Sequence, residues 1–251
     1  MGGGMSAPSL ILATDLDGTF LGGSDAQRKE LYEWLNANDD HLLIFVTGRD
    51  VDFIRELVES PGMPRPHYVI GDIGTSVLDG GTFEPILAIE EHIAEKWNDS
   101  AERVAALIDG EPGLRLQATP FRYRRSYYYD PAALLPSTLR KVEEAGYDWV
   151  LSAETFFDVL PKGVSKGPTL RRLLTHLALP EENVLVAGDT LNDLSLFESR
   201  LKGVAVGNAE APLVERIRDF SWVYRSALPG AAGIRDALDH YRFAIAEELR
   251  S

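Results

Sequence analysis

The stretch Ser9-Leu-Ile-Leu-Ala-Thr-Asp15-Leu-Asp17-Gly18-Thr19 decides the fold. From Ser9 to Thr14 it is a short apolar run without alternation, the pattern of a strand buried on both faces of a parallel sheet. The acidic residues and glycine that follow read as the loop at its carboxyl end. Outward from there, His41–Val46, Tyr68–Ile70, Val184–Ala187 and Val204–Val206 repeat the pattern, each followed within a few residues by Gly, Asp or Asn. Asp25–Asn38, Val51–Ser60, Lys166–Leu177, Asp193–Arg200 and Pro212–Asp219 place apolar residues at helical spacing between them. Strands alternating with helices predict an α/β fold built on a doubly wound parallel sheet.

The middle of the chain breaks this rhythm. Thr75–Pro85 is glycine-rich and hairpin-like, and Ile86–Ile108 reads as one or two helices. Arg122–Tyr129, Tyr147–Leu151 and Phe156–Leu160 are strand-like, with a helix over Leu134–Ala145, which predicts an α+β unit. The expected organisation is a core over residues 1–80 and 162–251, interrupted by an inserted domain over 81–161.

Composition narrows the chemistry. The chain has 251 residues, 45% hydrophobic and 25% charged, enough apolar content to bury a core. It contains no cysteine, so thiolate metal sites and cysteine nucleophiles are excluded. His41, His67, His92, His176 and His240 lack metal-ligand spacing, which leaves carboxylates and a hard cation. No apolar run reaches the roughly 20 residues of a membrane span and no signal peptide is evident, so a cytoplasmic location is expected. A net charge of −14 argues against nucleic-acid and anionic-membrane partners, and the one basic cluster, Arg122, Arg124 and Arg125 among aromatics, reads as strand.

In open α/β sheets ligands bind at the carboxyl ends of the parallel strands. Four such positions carry polar residues: Asp15-Leu-Asp17-Gly18-Thr19, Thr47-Gly48-Arg49, Lys162 to Lys166 ahead of a helix, and Gly188-Asp189-Thr190-Leu191-Asn192-Asp193. Asp15, Asp17, Asp189 and Asp193 would repel one another unless a cation offset them, and Mg2+ suits oxygen ligands that also face a phosphate. The Thr47 hydroxyl, the Gly48 N–H, the Asn192 amide and the Lys166 ammonium are donors for a phosphoryl group.

Taken in order, DLDGT, TGR, the lysine before a helix and GDTLND resemble the four motifs of the haloacid dehalogenase superfamily. The resemblance implies Asp15 as nucleophile, Asp17 as general acid/base, Thr47 as phosphate-binding threonine and Lys166 as the motif lysine. It also implies Mg2+ held by the Asp15 carboxylate, the Asp17 main-chain carbonyl and Asp189, with Asp193 completing the late acidic pair. PRPHYVIGDIGTSV, RRSYYYDP, FFDVLPKGVSKG, GVAVGNAEAPL and AAGIRDALDHY resemble the sucrose-phosphate phosphatase group, whose α+β cap is of the C2 type. A small phosphorylated sugar, sucrose 6-phosphate or a related glycoside phosphate, is the substrate this implies, and the reading leaves open a synthase partner that delivers it. A phosphomutase or phosphotransferase, and a noncatalytic sugar-phosphate-binding protein, are the alternatives.

Lys162, four residues before Lys166, is a candidate for the phosphate or sugar hydroxyls from the hinge. Arg49 is as well suited to bracing a loop carboxylate as to binding ligand. Tyr127, Tyr128 and Tyr129 point alternately to opposite faces if they form a strand, so only some of them can face the site.

Overall fold

The computed structural model describes residues 7–119 and 121–243. Strand β1 (Leu10–Thr14) is buried along its whole length. Its alternate side chains enter two different cores: Ile11 and Ala13 join one cluster and Leu10 and Leu12 the other. That period of two explains why the run reads as continuously apolar, since both faces are covered. After it come α1 (Asp25–Ala37), β2 (His41–Val46), α2 (Val51–Leu57), β3 (Tyr68–Gly71), β4 (Ser76–Asp79), α3 (Leu87–Trp97), α4 (Ala101–Ile108), β5 (Leu114–Leu116), β6 (Arg125–Tyr129) and α5 (Pro136–Glu144). The chain continues through β7 (Tyr147–Ser152), β8 (Phe156–Pro161), α6 (Lys166–His176), β9 (Val184–Gly188), α7 (Leu194–Glu198), β10 (Lys202–Ala205), α8 (Ala211–Arg216), β11 (Val223–Arg225) and α9 (Gly230–His240).

The larger sheet has the order β11-β10-β9-β1-β2-β3-β4 and is parallel except for β4, which runs against β3. Helices α6, α7 and α8 cover one face through Leu170, Leu173, Leu196, Phe197 and Leu213. On the other face lie α1 and α9, through Leu31, Leu35, Ile234, Ala237 and Leu238. Strand order proceeds outward in both directions from β1, so the crevice beside its carboxyl end is the topological switch point where such sheets bind ligands.

A separate antiparallel sheet, β5-β6-β8-β7, forms the cap. Tyr127, Phe157 and Val159 pack against Val104, Ile108 and Val142 of the cap helices, while Tyr128, Phe156 and Asp158 line a cavity facing the larger sheet. The tyrosines of β6 therefore alternate as their spacing predicts. The expected Ile86–Ile108 helical stretch is two helices, because Asn98 and Asp99 take φ of 48° and 50°, left-handed values that end α3. Helix α3 serves both bodies: Ile89 and Ile93 belong to the core of the larger sheet and Trp97 to that of the cap. The three-residue strands β5 and β11 have no counterpart in the sequence reading, being too short to show a period.

Candidate active site

Beyond β1 the chain leaves the sheet in one tight turn over Leu16–Phe20, and each residue of the motif has a local task. Asp15 stays 5% exposed at the end of the strand. Gly18 has φ of 77°, and a Cβ there would lie 2.1 Å from Asp189 Oδ2, so glycine is required by backbone and space together. The buried Thr19 hydroxyl donates to Asp189 Oδ1 at 3.0 Å, tying the first motif to the last.

Lys166 opens α6 and is fully buried. Its ammonium donates to Asp15 Oδ1 at 2.7 Å, Asn192 Oδ1 at 2.7 Å and Asp193 Oδ1 at 2.6 Å, which uses all three protons. Burial works to lower its pKa, but the carboxylates of Asp15 and Asp193 outweigh this and hold it above the ordinary lysine value. Both Asp193 oxygens are engaged: besides Oδ1 on the lysine, Oδ2 accepts from the N–H groups of Asp189 and Thr190 at 3.0 and 3.1 Å. It braces the loop and aims the lysine.

One carboxylate oxygen from each of Asp15, Asp189 and Asp193 lies within 4.8 Å of the other two. Burial, the nearby Asp193 and Asp189 charges and the opposing pull of Lys166 leave Asp15 well above the usual carboxylate range. Burial and then the Asp193 charge push Asp189 up to about 7. Three clustered carboxylates facing one ammonium fit a hard divalent cation, which would relieve that crowding.

The Thr47-Gly48-Arg49 loop follows β2. Thr47 is buried, its Oγ1 accepting from Arg49 N–H at 3.1 Å, and Gly48 lines the cavity beside Asp15 and Asn192. Arg49 grips Asp17 with two bonds, Nε to Oδ2 at 2.8 Å and Nη2 to Oδ1 at 2.9 Å, so it braces a loop carboxylate. The cavity, about 420 Å3, is roofed by Gln117, Thr119, Phe121, Tyr128 and Phe156. Lys162 is held elsewhere: its ammonium pairs with Asp148 at 2.5 Å and does not line the cavity. The hinge position placed it near Lys166 in sequence, but the turn between them directs it to β7.

Three residues at the site escaped the sequence reading. Asn208 donates to Gly18 O at 3.0 Å and Asp189 Oδ2 at 3.1 Å, and its own oxygen accepts from Gly230 N–H at 2.8 Å. It follows β10, so the strand-end rule that exposed the other four positions would have found it. Arg124 and Asp158, ion-paired at 2.9 Å and both buried, belong to the cap, where no strand-end rule applies.

Residues 8–242 match the family described as sucrose-6F-phosphate phosphohydrolase. The chain belongs to that family. A mannosylfructose-phosphate phosphatase from Agrobacterium fabrum is 30% identical, the alignment covering 93% of this chain and 97% of that relative. A glucosylglycerol-phosphate synthase from Pseudomonas anguilliseptica is 39% identical over 93% of this chain but only 31% of its own length, and the chain spans 60% of a 32% identical sucrose-phosphatase from Nicotiana tabacum. Among solved structures, the sucrose-phosphatase of Synechocystis in complex with sucrose and phosphate superposes with a TM-score of 0.84 at 26% identity, over 93% of this chain and 98% of that one. A haloacid dehalogenase-like hydrolase from Bacillus subtilis, at 15% identity and a TM-score of 0.64, shares the fold.

Proposed function

We propose that the chain is a phosphatase of phosphorylated glycosides working through a phosphoaspartyl intermediate. The observation that carries this is the Asp15 carboxylate at the floor of the cavity, one oxygen held by a fully buried lysine and the other without a hydrogen-bond partner among the described residues. In the first step that free oxygen attacks phosphorus and the bond to the sugar oxygen breaks, the leaving alkoxide taking a proton from the Asp17 carboxyl. Asp17 must first be released by Arg49, which holds both its oxygens. In the second step the Asp17 carboxylate takes a proton from water as the water attacks phosphorus, releasing phosphate and restoring Asp15. The Lys166 ammonium, the Gly48 N–H and the Thr47 hydroxyl oppose charge on the phosphoryl oxygens. Mg2+ would be held by Asp15, Asp189 and the Asp17 carbonyl, supplying positive charge beside the transferring group.

We assign residues 81–161 as the lid that selects the sugar. The cavity's aromatic residues Phe121, Tyr128 and Phe156 suit a sugar face, and relatives named for sucrose, mannosylfructose and glucosylglycerol phosphates all point to a glycoside phosphate. The greater identity to part of a glucosylglycerol-phosphate synthase favours the product of such a synthase as substrate. Phosphate release from glucosylglycerol phosphate, sucrose 6-phosphate, mannosylfructose phosphate and simple hexose phosphates tests this. The glycoside phosphates should have the higher kcat/KM; equal turnover of hexose phosphates would defeat the substrate class, and no release from any would defeat the phosphatase reading.

A further inference from the structure

The loop carrying Thr47 and Gly48 is gripped from behind. Ile73 N–H donates to the Thr47 carbonyl at 3.0 Å and Asp72 N–H to the Arg49 carbonyl at 3.1 Å. Asp72 and Ile73 take φ of 52° and 58°, uncommon values for residues with a side chain, and this turn brings two successive N–H groups to the same loop. Between these two contacts the Gly48 carbonyl accepts from Arg124 Nη2 at 3.2 Å. The Gly48 carbonyl and the Arg49 N–H share one peptide plane, and that N–H donates to Thr47 Oγ1. One plane is thus fixed from both ends, by Arg124 on its oxygen and by Thr47 on its hydrogen. Because Thr47 Oγ1 is already accepting there, the hydroxyl hydrogen is directed away from Arg49. Neither that hydrogen nor Gly48 N–H is given to any other described residue.

Arg124 reaches this loop from the other sheet. It precedes β6, is 5% exposed, and bonds Asp158 of β8 through Nη1 at 2.9 Å. Ser126 also donates to Asp158 Oδ1. The Nη2 that meets Gly48 also lies 3.4 Å from Asp72 Oδ1, and the guanidinium lies over the Phe121 ring, 3.6 Å from its centroid. A planar fork can hold a cap carboxylate and a core carbonyl together, which a single ammonium cannot do with the same geometry.

We propose that Arg124 is a positioning residue through which the seated lid sets the phosphate-binding loop. Held between Asp158 of the lid and the Gly48 carbonyl of the core, it fixes the Gly48–Arg49 peptide plane and, through it, the aim of the Thr47 hydroxyl. This rests on the reading that Thr47 and Gly48 take the phosphoryl oxygens. Its consequence is that the lid contributes to phosphate binding itself as well as to the choice of sugar.

The test is a double-mutant cycle between Arg124→Lys and Thr47→Val, measured with a disaccharide phosphate and with p-nitrophenyl phosphate, which lacks a sugar. Arg124→Lys keeps a cation between Asp158 and Asp72, so it preserves the fold better than Arg124→Ala. Each single variant should lower kcat/KM on both substrates by roughly tenfold and weaken inhibition by inorganic phosphate, and the double should be little worse than the poorer single. Additive losses overturn the inference, because Arg124 would then act by another route. A loss confined to the disaccharide phosphate overturns it too, making Arg124 a sugar contact, as does a lowered melting temperature with kcat/KM unchanged. If the wild type hydrolyses neither substrate, the phosphatase reading fails and takes this inference with it; an active wild type with an unimpaired Arg124→Lys variant defeats this inference alone.

Discussion

Asp15 and Asp17 stand two residues apart, yet the cations that face them are held in different ways. Lys166 is fully buried and gives each of its protons to a fixed acceptor, so Asp15 meets a charge that cannot move. Arg49 and Asp17 keep 49% and 52% of their side chains in solvent, and their pairing is a surface ion pair. An immobile charge suits a nucleophile that must be aligned with phosphorus, whereas a carboxyl that exchanges protons with substrate and water needs a partner that can let go. On the roles proposed for them, the two halves of one short motif are thus suited to rigidity and to exchange.

The strongest way to break this contrast is at Asp15, the proposed nucleophile. Asp15→Asn should lower turnover by on the order of 10⁴-fold or more while leaving the fold intact, since the amide cannot form the acyl phosphate. Comparable residual turnover in the purified variant would move the nucleophile elsewhere. Lys166→Met should also inactivate, and it should destabilise the protein by about 3–5 kcal/mol, because it strands buried carboxylates. Denaturant melts of the two variants separate these effects.

Asp17→Asn sharpens the other half. With a sugar phosphate the expected loss is roughly 10²–10⁴-fold, the usual contribution of general acid catalysis, and with an aryl phosphate it should be smaller because that leaving group needs little protonation. Equal losses on both would remove the acid role from the first step.

The fixed half should also respond to pH and cation. Asp189 titrates near 7 in the fold against an ordinary 3.8, so between these values the folded protein holds a proton that the unfolded chain has lost. Stability therefore falls as pH rises across that window and levels off above it. Melting of the metal-free protein should show this decline, Asp189→Asn should lessen it without removing the part due to Asp15, which is raised in the same direction, and Mg2+ should raise the melting temperature more at about pH 8 than at about pH 5. A stabilisation by Mg2+ independent of pH would disconnect the cation from this cluster. The smallest effect belongs to Arg49→Ala, which should cost about 0–1 kcal/mol of stability given the exposure of the pair. A loss as large as that of Lys166→Met would erase the contrast.

Much of this was readable from residues alone. The buried strands announce themselves because both faces are covered, and Asp15, Asp17, Gly48, Lys166, Asp189, Asn192 and Asp193 fall at strand ends or helix starts that topology gathers at the crevice. What escaped depends on partners far away in the chain. Arg124 looks like part of a basic strand until Gly48, Asp72 and Asp158 surround it, and Lys162 looks poised for ligand until Asp148 takes it. Strands β5 and β11 are each only three residues long and each includes an arginine, so neither shows the unbroken apolar run that reveals β3.

The separation of the two sheets has a consequence for how the molecule comes to exist. Every ladder of the smaller sheet closes within residues 114–161, whereas the pairing beside Asp15 joins Ile11 to Val184. Short loops close at lower entropic cost and earlier than long ones. As the chain leaves the ribosome, the cap can acquire its hydrogen bonds while β1 still lacks one of its neighbours and Asp189 has yet to be synthesised. The part proposed to select the substrate is then expected to be ready before the part proposed to transform it, and the mutual repulsion of the clustered carboxylates is deferred to the closing step of folding.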